Sequence, residues 1–128
     1  MIAWVVKKII SNSIKKFKND AENINNFEGT RVEAYFLSAY HLIESCAAQE
    51  RVHINKHQHL RSILIKNEFI FKNKTDEIWK NFQKIENQLR PKFTYGFSWT
   101  EIDMKNVKTC YKTIEKICLE KLGENINE

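Results

Sequence analysis

Glycine and proline are scarce in this sequence: three glycines and one proline occur among 128 residues. All-β domains need many turn residues, so this composition favours long helices with few connections between them. Gly29 and Gly96 are the only glycines before Gly123, which excludes a glycine-rich loop that would cradle phosphates. The sequence also lacks a P-loop, a dinucleotide-binding fingerprint and a GxSxG nucleophile motif.

Long apolar runs and paired cysteines are also missing. No run approaches the roughly 18 apolar residues that a membrane-spanning helix needs. The start, MIAWVVKKII, turns basic at Lys7 and lacks the order of a signal peptide. Cys46, Cys110 and Cys118 are odd in number and have no CxxC spacing, which is typical of reduced structural thiols. We therefore expect a cytoplasmic protein that makes no contact with a membrane.

Apolar periodicity predicts helices throughout the chain. Apolar residues make up 42% of the sequence, enough for one hydrophobic core in a chain of single-domain length. Residues at helical spacing, such as Val5, Ile9 and Ile14, mark the core-facing sides. Helices are predicted at about residues 2–23, 30–49, 56–71, 75–90 and 98–122. Short loops favour an all-α, up-and-down antiparallel helical bundle of four to five helices over residues 1–122, with a frayed tail at 123–128.

Several helix ends carry local signals. Thr30 and Glu33 have capping-box spacing at the start of the second helix. The last helix offers two overlapping boxes, Ser98 with Glu101 and Thr100 with Asp103. Pro91 disfavours helical geometry at the residue before it and clashes with the preceding turn, so we expect the fourth helix to end at about Arg90.

Positive charge is concentrated in one segment. The net charge of the chain is +5, and the segment Arg51–Lys74 holds six basic residues and one acid, so the rest of the chain is neutral. A localised excess of this kind favours a polyanionic partner such as nucleic acid. The alternative is a solvated helix face with no ligand, because clusters of lysine and arginine are weak motifs.

The histidines are candidates for metal ligands and for catalytic bases. His53 and His57 would share a face if they lay on one helix, with His59 close by. Zinc sites need three or four ligands, and Glu50 is the only nearby carboxylate, so we expect neither a metal nor a cofactor. His41 lies in an apolar helical segment, where a core histidine bonded to a neighbour is the simpler interpretation than a base.

The stretch LRPKFTYGFSWT interrupts the helical pattern and carries Arg90, Lys92 and Tyr95. A guanidinium fixed at a helix end suits bidentate contact with a phosphate. The alternative is structural: Arg90 caps the last carbonyls of its helix and Tyr95 packs against the core.

A family resemblance bears on this choice. The run KHQHLRSILIKNEFIFKNKTDEIWKNFQKIENQLRPKFTYG resembles the second half of a HEPN domain (higher eukaryote and prokaryote nucleotide-binding), and YFLSAYHLIESCAAQERVHINKH resembles its long central helix. The likeness covers about residues 30 to 118. It implies an α-helical up-and-down bundle, usually a homodimer with a cleft at the interface. Many members are metal-independent ribonucleases, often toxins of toxin–antitoxin pairs whose partner is a small nucleotidyltransferase.

The resemblance assigns roles to particular residues. Arg90 matches the arginine of the family's Arg-x(4–6)-His motif, but Tyr95 stands where the family has histidine. A phenol is a poor general base near neutral pH because its pKa is about 10. Some members are modified on a tyrosine near this motif, and Tyr95 is the matching candidate.

Three functions follow as hypotheses. In the first, the protein binds nucleotide or RNA, or a nucleotidyltransferase, through a degenerate motif. The nucleotide-binding or RNA-binding residues would then be Arg90, Lys92, His57, Arg61 and Lys56. In the second, it is a metal-independent endoribonuclease toxin in which Arg90 and Tyr95 are catalytic, or His57 or His41 substitutes as the base. In the third, it is an interaction or scaffold protein without a ligand.

Overall fold

The structure is a computed structural model that describes residues 2–94 and 98–124, with side chains described for 11–94 and 98–123. It is an all-α helical bundle, and no strand occurs within the described ranges, so the predicted fold class is confirmed. The α-helices are α1 (Ile2–Glu22), α2 (Glu28–Gln49), α3 (Leu60–Lys66), α4 (Thr75–Gln83), α5 (Arg90–Thr94) and α6 (Glu101–Glu124). Two 3₁₀ turns lie at His57–His59 and Lys72–Lys74, and a π turn spans Lys84–Leu89.

Helix α2 is the centre of the bundle. It contacts α1, α4, α5 and α6. Its most buried stripe alternates steps of three and four residues, as a core-facing helix side must, and comprises Val32, Phe36, Ala39, Ile43 and Cys46. Small residues interleave with this stripe and are also buried, among them Ala34, Ser38 and Ala47, so neighbouring helices approach α2 from several sides.

Buried polar groups link the three long helices. The Ser38 hydroxyl lies 2.8 Å from the Tyr111 hydroxyl and donates to the Ile14 carbonyl at 3.3 Å. The Tyr111 hydroxyl also lies 3.3 Å from Glu115, whose carboxylate lies 2.8 Å from Lys18 Nζ. Every buried side-chain nitrogen and oxygen of the described residues has a hydrogen-bond partner. This network fixes the register of α1, α2 and α6, because breaking one bond would leave a buried group unsatisfied.

The predicted capping boxes at Thr30–Glu33 and at Thr100–Asp103 have opposite outcomes. At α6 the box forms: the Thr100 amide donates to Asp103 Oδ2 at 2.9 Å, and the Asp103 amide donates to Thr100 Oγ1 at 3.3 Å. The predicted box at Thr30 and Glu33 is wrong. Helix α2 begins at Glu28 with Phe27 as its N-cap, so Thr30 lies inside the first turn. Glu33 binds Arg90 instead.

The predicted third helix, 56–71, is too long. Only Leu60–Lys66 is α-helical, and residues 67–71 form turns. The helix ends at Asn67, whose backbone leaves the helical conformation (φ −125°, ψ 55°) and whose side-chain Nδ2 and amide both donate to the Ile63 carbonyl, at 2.8 and 3.0 Å. Asparagine side chains compete in this way with helical hydrogen bonding. Ile70 and Phe71 still reach the core, although they lie in turns.

The prediction that Pro91 ends the fourth helix is also wrong. The chain remains helical through the π turn and α5 as far as Thr94. A proline in a regular α-helix removes one amide donor and presses its ring against the carbonyl four residues earlier. The π turn just before Pro91 has the Arg90 amide donating to the Ile85 carbonyl, five residues back, and this wider turn relieves that crowding.

At the C-terminal end, α6 continues through Gly123 and Glu124, so the first two residues of the predicted frayed tail are helical. Residues 125–128 lie outside the described part of the chain. The helices within 2–94 and 98–124 include none that is long and apolar enough to cross a membrane.

Candidate functional site

Arg90 is held by two contacts with α2. Its Nε donates to Glu33 Oε2 at 2.7 Å, and its Nη2 donates to Glu33 Oε1 at 3.4 Å. The guanidinium carbon also lies 4.2 Å from the centre of the Phe36 ring, a cation–π distance. A carboxylate fork and an aromatic face together fix the orientation of the guanidinium. The alternative that Arg90 caps its own helix is therefore not what the structure has.

His57 approaches the same phenylalanine from another side. Its Nδ1 lies 2.7 Å from Glu86 Oε2, and Glu86 belongs to the π turn that precedes Arg90. The imidazole stands edge-on to the Phe36 ring, with 5.3 Å between the ring centres. An ionised carboxylate only accepts hydrogen bonds, so Nδ1 carries a proton, and in the neutral ring Nε2 carries the lone pair. His57 thus has one nitrogen oriented by Glu86 and one left for a ligand.

Arg90 and His57 line one cleft of about 380 Å³, which we call the phosphate cleft after the ligand that we propose for it below. Its other walls include Gln58, Glu86, Asn87 and Thr94. The two side chains are distant in sequence, and Phe36 lies between them as a common packing partner. The arrangement places a fixed cation beside a histidine that is paired with a carboxylate.

Arg90 and Thr94 also line a second, larger opening of about 550 Å³, which we call the aromatic groove. Apolar side chains form most of it: Phe17, Phe27, Ala34, Leu37 and Phe93. Three polar side chains, Asp20, Thr30 and Glu33, complete the wall. The Arg90–Glu33 pair therefore stands between the phosphate cleft and the aromatic groove.

The other predicted binding residues lie outside these two openings. Lys92 Nζ is 3.1 Å from Asp103 Oδ1 and so connects α5 to the start of α6. Lys56 is exposed and directly precedes His57. The Arg61 guanidinium carbon lies 5.5 Å from the centre of the Trp79 ring. Tyr95, the residue at the family's histidine position, lies outside the described residues.

Of the two histidines that are candidates for a substitute base, His57 is beside Arg90 and His41 is elsewhere. His41 Nδ1 is 2.9 Å from Glu44, and its ring stacks on Phe17 with 5.7 Å between centres. His41 lines neither the phosphate cleft nor the aromatic groove. The interpretation of His41 as a histidine bonded to its neighbours fits this packing.

A buried phenol also lies near His57. The ring of Tyr40 is 6.2 Å from that of His57, and its hydroxyl donates to the Ile54 carbonyl at 3.4 Å. Burial, with a smaller contribution from the Glu44 charge, raises the pKa of Tyr40 to about 12. The phenol therefore stays protonated at neutral pH and is not available there as a base.

The basic segment Arg51–Lys74 carries six basic side chains, which we call the basic face. All six of its basic side chains are exposed: Arg51, Lys56, Arg61, Lys66, Lys72 and Lys74. One of them, Lys74, pairs with Glu77 at 3.5 Å. His57 belongs to the same segment and lines the phosphate cleft.

No group of three or more His, Cys, Asp or Glu side chains in the described residues is arranged to hold a metal ion. His53 and His57 do not share a helix face, because residues 52–56 are not helical. Cys46, Cys110 and Cys118 are buried as free thiols. Burial raises the pKa of Cys110 and of Cys118, which keeps both in the unreactive thiol form.

Sequence reasoning missed the two carboxylates and the aromatic ring that build the site. The spacing of Glu33 points to a capping box, and neither Glu86 nor Phe36 has a spacing that marks a functional residue. Their contacts with Arg90 and His57 are long-range, so no local pattern could have found them. Comparison of the chain with protein-family models, curated proteins and solved structures finds no match.

Proposed function

We propose that this protein binds RNA or a nucleotide through a phosphate group in the phosphate cleft. The observation that carries the proposal is that Arg90 and His57, each oriented by its own carboxylate, line one cleft. A preoriented guanidinium loses little freedom when it binds an anion, which favours affinity. The function is the one that the HEPN resemblance leads us to expect.

Part of the Arg90 guanidinium remains available to a ligand. Glu33 occupies the edge that carries Nε and Nη2, whereas Nη1 has no hydrogen-bond partner among the described residues. Glu33 and Glu86 offset much of the positive charge in the cleft, so binding depends on geometry there and on the basic face for long-range attraction. Affinity for RNA should therefore fall steeply with salt, because displaced counterions contribute to binding.

A second candidate function is metal-independent cleavage of RNA, and the His57–Glu86 pair favours it. In this reaction the ribose 2′-oxygen attacks the adjacent phosphorus, and His57 Nε2 accepts the 2′-hydroxyl proton. The bond from phosphorus to the 5′-oxygen then breaks, and the leaving oxygen takes the proton back from the imidazolium. Arg90 stabilises the extra negative charge on the phosphoryl oxygens. Tyr95 is not needed as the base in this scheme.

The proposal includes the partners and location that the resemblance implies. The protein would act in the cytoplasm as a homodimer, and its protein partner, if it has one, would be a small nucleotidyltransferase. A scaffold without a ligand is the remaining alternative, and it predicts that substitution of Arg90 changes neither binding nor cleavage.

Binding and cleavage can be scored together with mixed RNA in chelator, at low and at moderate salt. The variants are Arg90→Ala, His57→Ala and, as a control for loss of one surface charge, Lys105→Ala on the exposed side of α6. Retention without cleavage, weakened about tenfold or more by Arg90→Ala but not by Lys105→Ala, supports the binding function. Cleavage that both Arg90→Ala and His57→Ala abolish supports the ribonuclease. Absence of both retention and cleavage in the wild type would overturn the proposal.

A further inference from the structure

The aromatic groove adjoins the phosphate cleft through a shared wall. Arg90 and Thr94 line both, and Glu33, the partner of Arg90, faces the groove. A nucleotide whose phosphate contacts Arg90 from the cleft therefore has its sugar and base within reach of the groove. The volume of about 550 Å³ lies in the range of small-molecule sites and accommodates a purine.

One aromatic ring at the edge of the groove is both exposed and positioned. Phe27 has 70% of its surface exposed, which is unusual for a large apolar side chain. Its ring lies against the backbone of Gly29, where an added Cβ would stand 3.0 Å from Phe27 Cε1 and 3.4 Å from the Phe93 carbonyl oxygen. The missing side chain at Gly29 thus leaves room for the ring. An exposed, positioned ring beside a cation suits base stacking, as in proteins that bind single-stranded RNA.

The polar groups of the groove select for hydrogen-bond donors. Asp20 and Glu33 carry carboxylates, which accept hydrogen bonds and do not donate them when ionised. Glu33 is engaged by Arg90, whereas the Asp20 carboxylate has no hydrogen-bond or ion-pair partner among the described side chains. A second phosphate would be repelled by these two charges. A base edge that carries N–H groups would be attracted.

We propose that the aromatic groove is a nucleobase pocket that prefers guanine, with the base stacked on Phe27 and its N–H edge turned to Asp20. This inference rests on the proposed function, because it uses the phosphate contact at Arg90 to place the base. Guanine offers two adjacent donors, N1–H and the N2 amino group, to one carboxylate. Uracil offers a single N–H with a carbonyl oxygen on either side of it, and the carboxylate repels these two oxygens.

The test measures affinities of the full chain for GMP, UMP and ribose 5-phosphate by calorimetry at low salt. We expect GMP to bind about tenfold more tightly than UMP, the size of one good bidentate contact, and ribose 5-phosphate to bind most weakly. Asp20→Asn should remove most of the preference for GMP over UMP, because an amide both donates and accepts.

Two variants test the stacking ring without disturbing the core. Phe27→Ala removes an exposed ring and should weaken GMP about tenfold. Gly29→Ala keeps the ring of Phe27 but displaces it, because the added Cβ would stand 3.0 Å from Phe27 Cε1. It should weaken GMP binding by a smaller factor than Phe27→Ala does. The matched control is Ile24→Ala, since Ile24 is 81% exposed in the same turn and does not line the groove.

The outcomes separate this inference from the proposed function. Equal affinity for GMP, UMP and ribose 5-phosphate, all lost in Arg90→Ala and unaffected by Phe27→Ala, would overturn the base pocket and leave phosphate binding intact. Binding of neither nucleotides nor RNA would overturn both. Tighter binding of UMP than of GMP would also overturn the base pocket, because the carboxylates would then not face the base.

Discussion

The three long helices and the middle of the chain differ in the length and regularity of their helices. Helices α1, α2 and α6 have 21, 22 and 24 residues and are connected by a satisfied polar network. In residues 50–94, which we call the middle region, no α-helix exceeds the nine residues of α4. Arg51 and Lys72, with φ of 59° and 54°, take a left-handed conformation that glycine usually occupies. Both regions contribute buried residues to the core, and the irregular part also supplies both Arg90 and His57.

The π turn, an irregular part of the middle region, positions the residues of the candidate site. A π turn has more residues per turn than an α-helix, so it changes the direction in which the following side chains point. Glu86 lies within this turn and contacts His57, while Arg90 follows it and contacts Glu33. π turns inserted in helices are often found at functional sites, which agrees with the location of the phosphate cleft.

The largest expected effect compares one isoleucine from each region. Ile43 in α2 is fully buried, whereas Ile65 in α3 is 55% exposed. Ile43→Ala should lower the free energy of unfolding by about 3 kcal/mol through lost burial and a cavity. Ile65→Ala should change it by no more than about 0.5 kcal/mol. Urea unfolding of both variants measures this, and equal losses would contradict the burial of Ile43 and the exposure of Ile65.

The second prediction concerns the start of α6, which follows the middle region and where Asp103 forms the capping box with Thr100. Its pKa is lowered below the ordinary 3.8 by the hydrogen bond from the Thr100 amide and then by Lys92. A group whose pKa is lower in the folded state than in the unfolded state stabilises the fold at pH values above its unfolded-state pKa. This contribution is lost as the pH falls through the folded-state pKa. Asp103→Asn should therefore lower Tm at neutral pH and flatten its decline below about pH 4.

Asp76 provides the control for this acid sensitivity. It also lies in the first turn of a helix, but it is exposed and pairs only with Lys80, at 3.2 Å. Asp76→Asn should leave the dependence of Tm on pH close to that of the wild type. If Asp103→Asn leaves this dependence unchanged too, the capping box does not stabilise α6.

A third, smaller effect tests the left-handed residue that follows α2. Arg51 is exposed, and its amide donates to the Ala48 carbonyl at 3.0 Å, as at a helix C-terminal end. Arg51→Gly should raise the free energy of unfolding by about 1 kcal/mol because glycine takes this conformation without steric cost. Arg51→Ala removes the same charge but keeps the strained backbone and should give no gain. Equal stability of the two variants in thermal unfolding would exclude backbone strain as the cause.

The smallest expected effect is at Pro91. A proline in the interior of a regular helix costs about 3 kcal/mol, and replacing it there would recover that amount. Since the π turn already accommodates the ring, Pro91→Ala should raise the free energy of unfolding by less than about 1 kcal/mol. A gain near 3 kcal/mol in urea unfolding would mean that Pro91 strains this helix and that the π turn gives no relief.

The regular part of the fold is predictable from the sequence because its signals are local. The stripe of α2 and the Thr100–Asp103 cap can be recognised from neighbours three or four residues apart. The middle region is less predictable. Its third helix ends early at Asn67 and its fourth continues through a π turn, and the apolar periodicity of the sequence marks neither feature.

The candidate site is predictable only in part. Arg90 stands out in the sequence from its place beside Pro91, and the structure gives it a fixed orientation. Its companions do not stand out, because Glu33 and Glu86 reach Arg90 and His57 through long-range contacts. The sequence offers both His57 and His41 as substitute bases, and the fold distinguishes His57 by its place in the phosphate cleft.

The most direct test of phosphate binding at Arg90 and His57 is a double-substitution cycle on RNA affinity. It compares wild type, Arg90→Ala, His57→Ala and the double variant at one fixed salt concentration. If both side chains contact one phosphate, as we propose, the double variant should lose clearly less affinity than the product of the two single losses. Losses that multiply fully would contradict the proposal, because they would mean that Arg90 and His57 act at separate places.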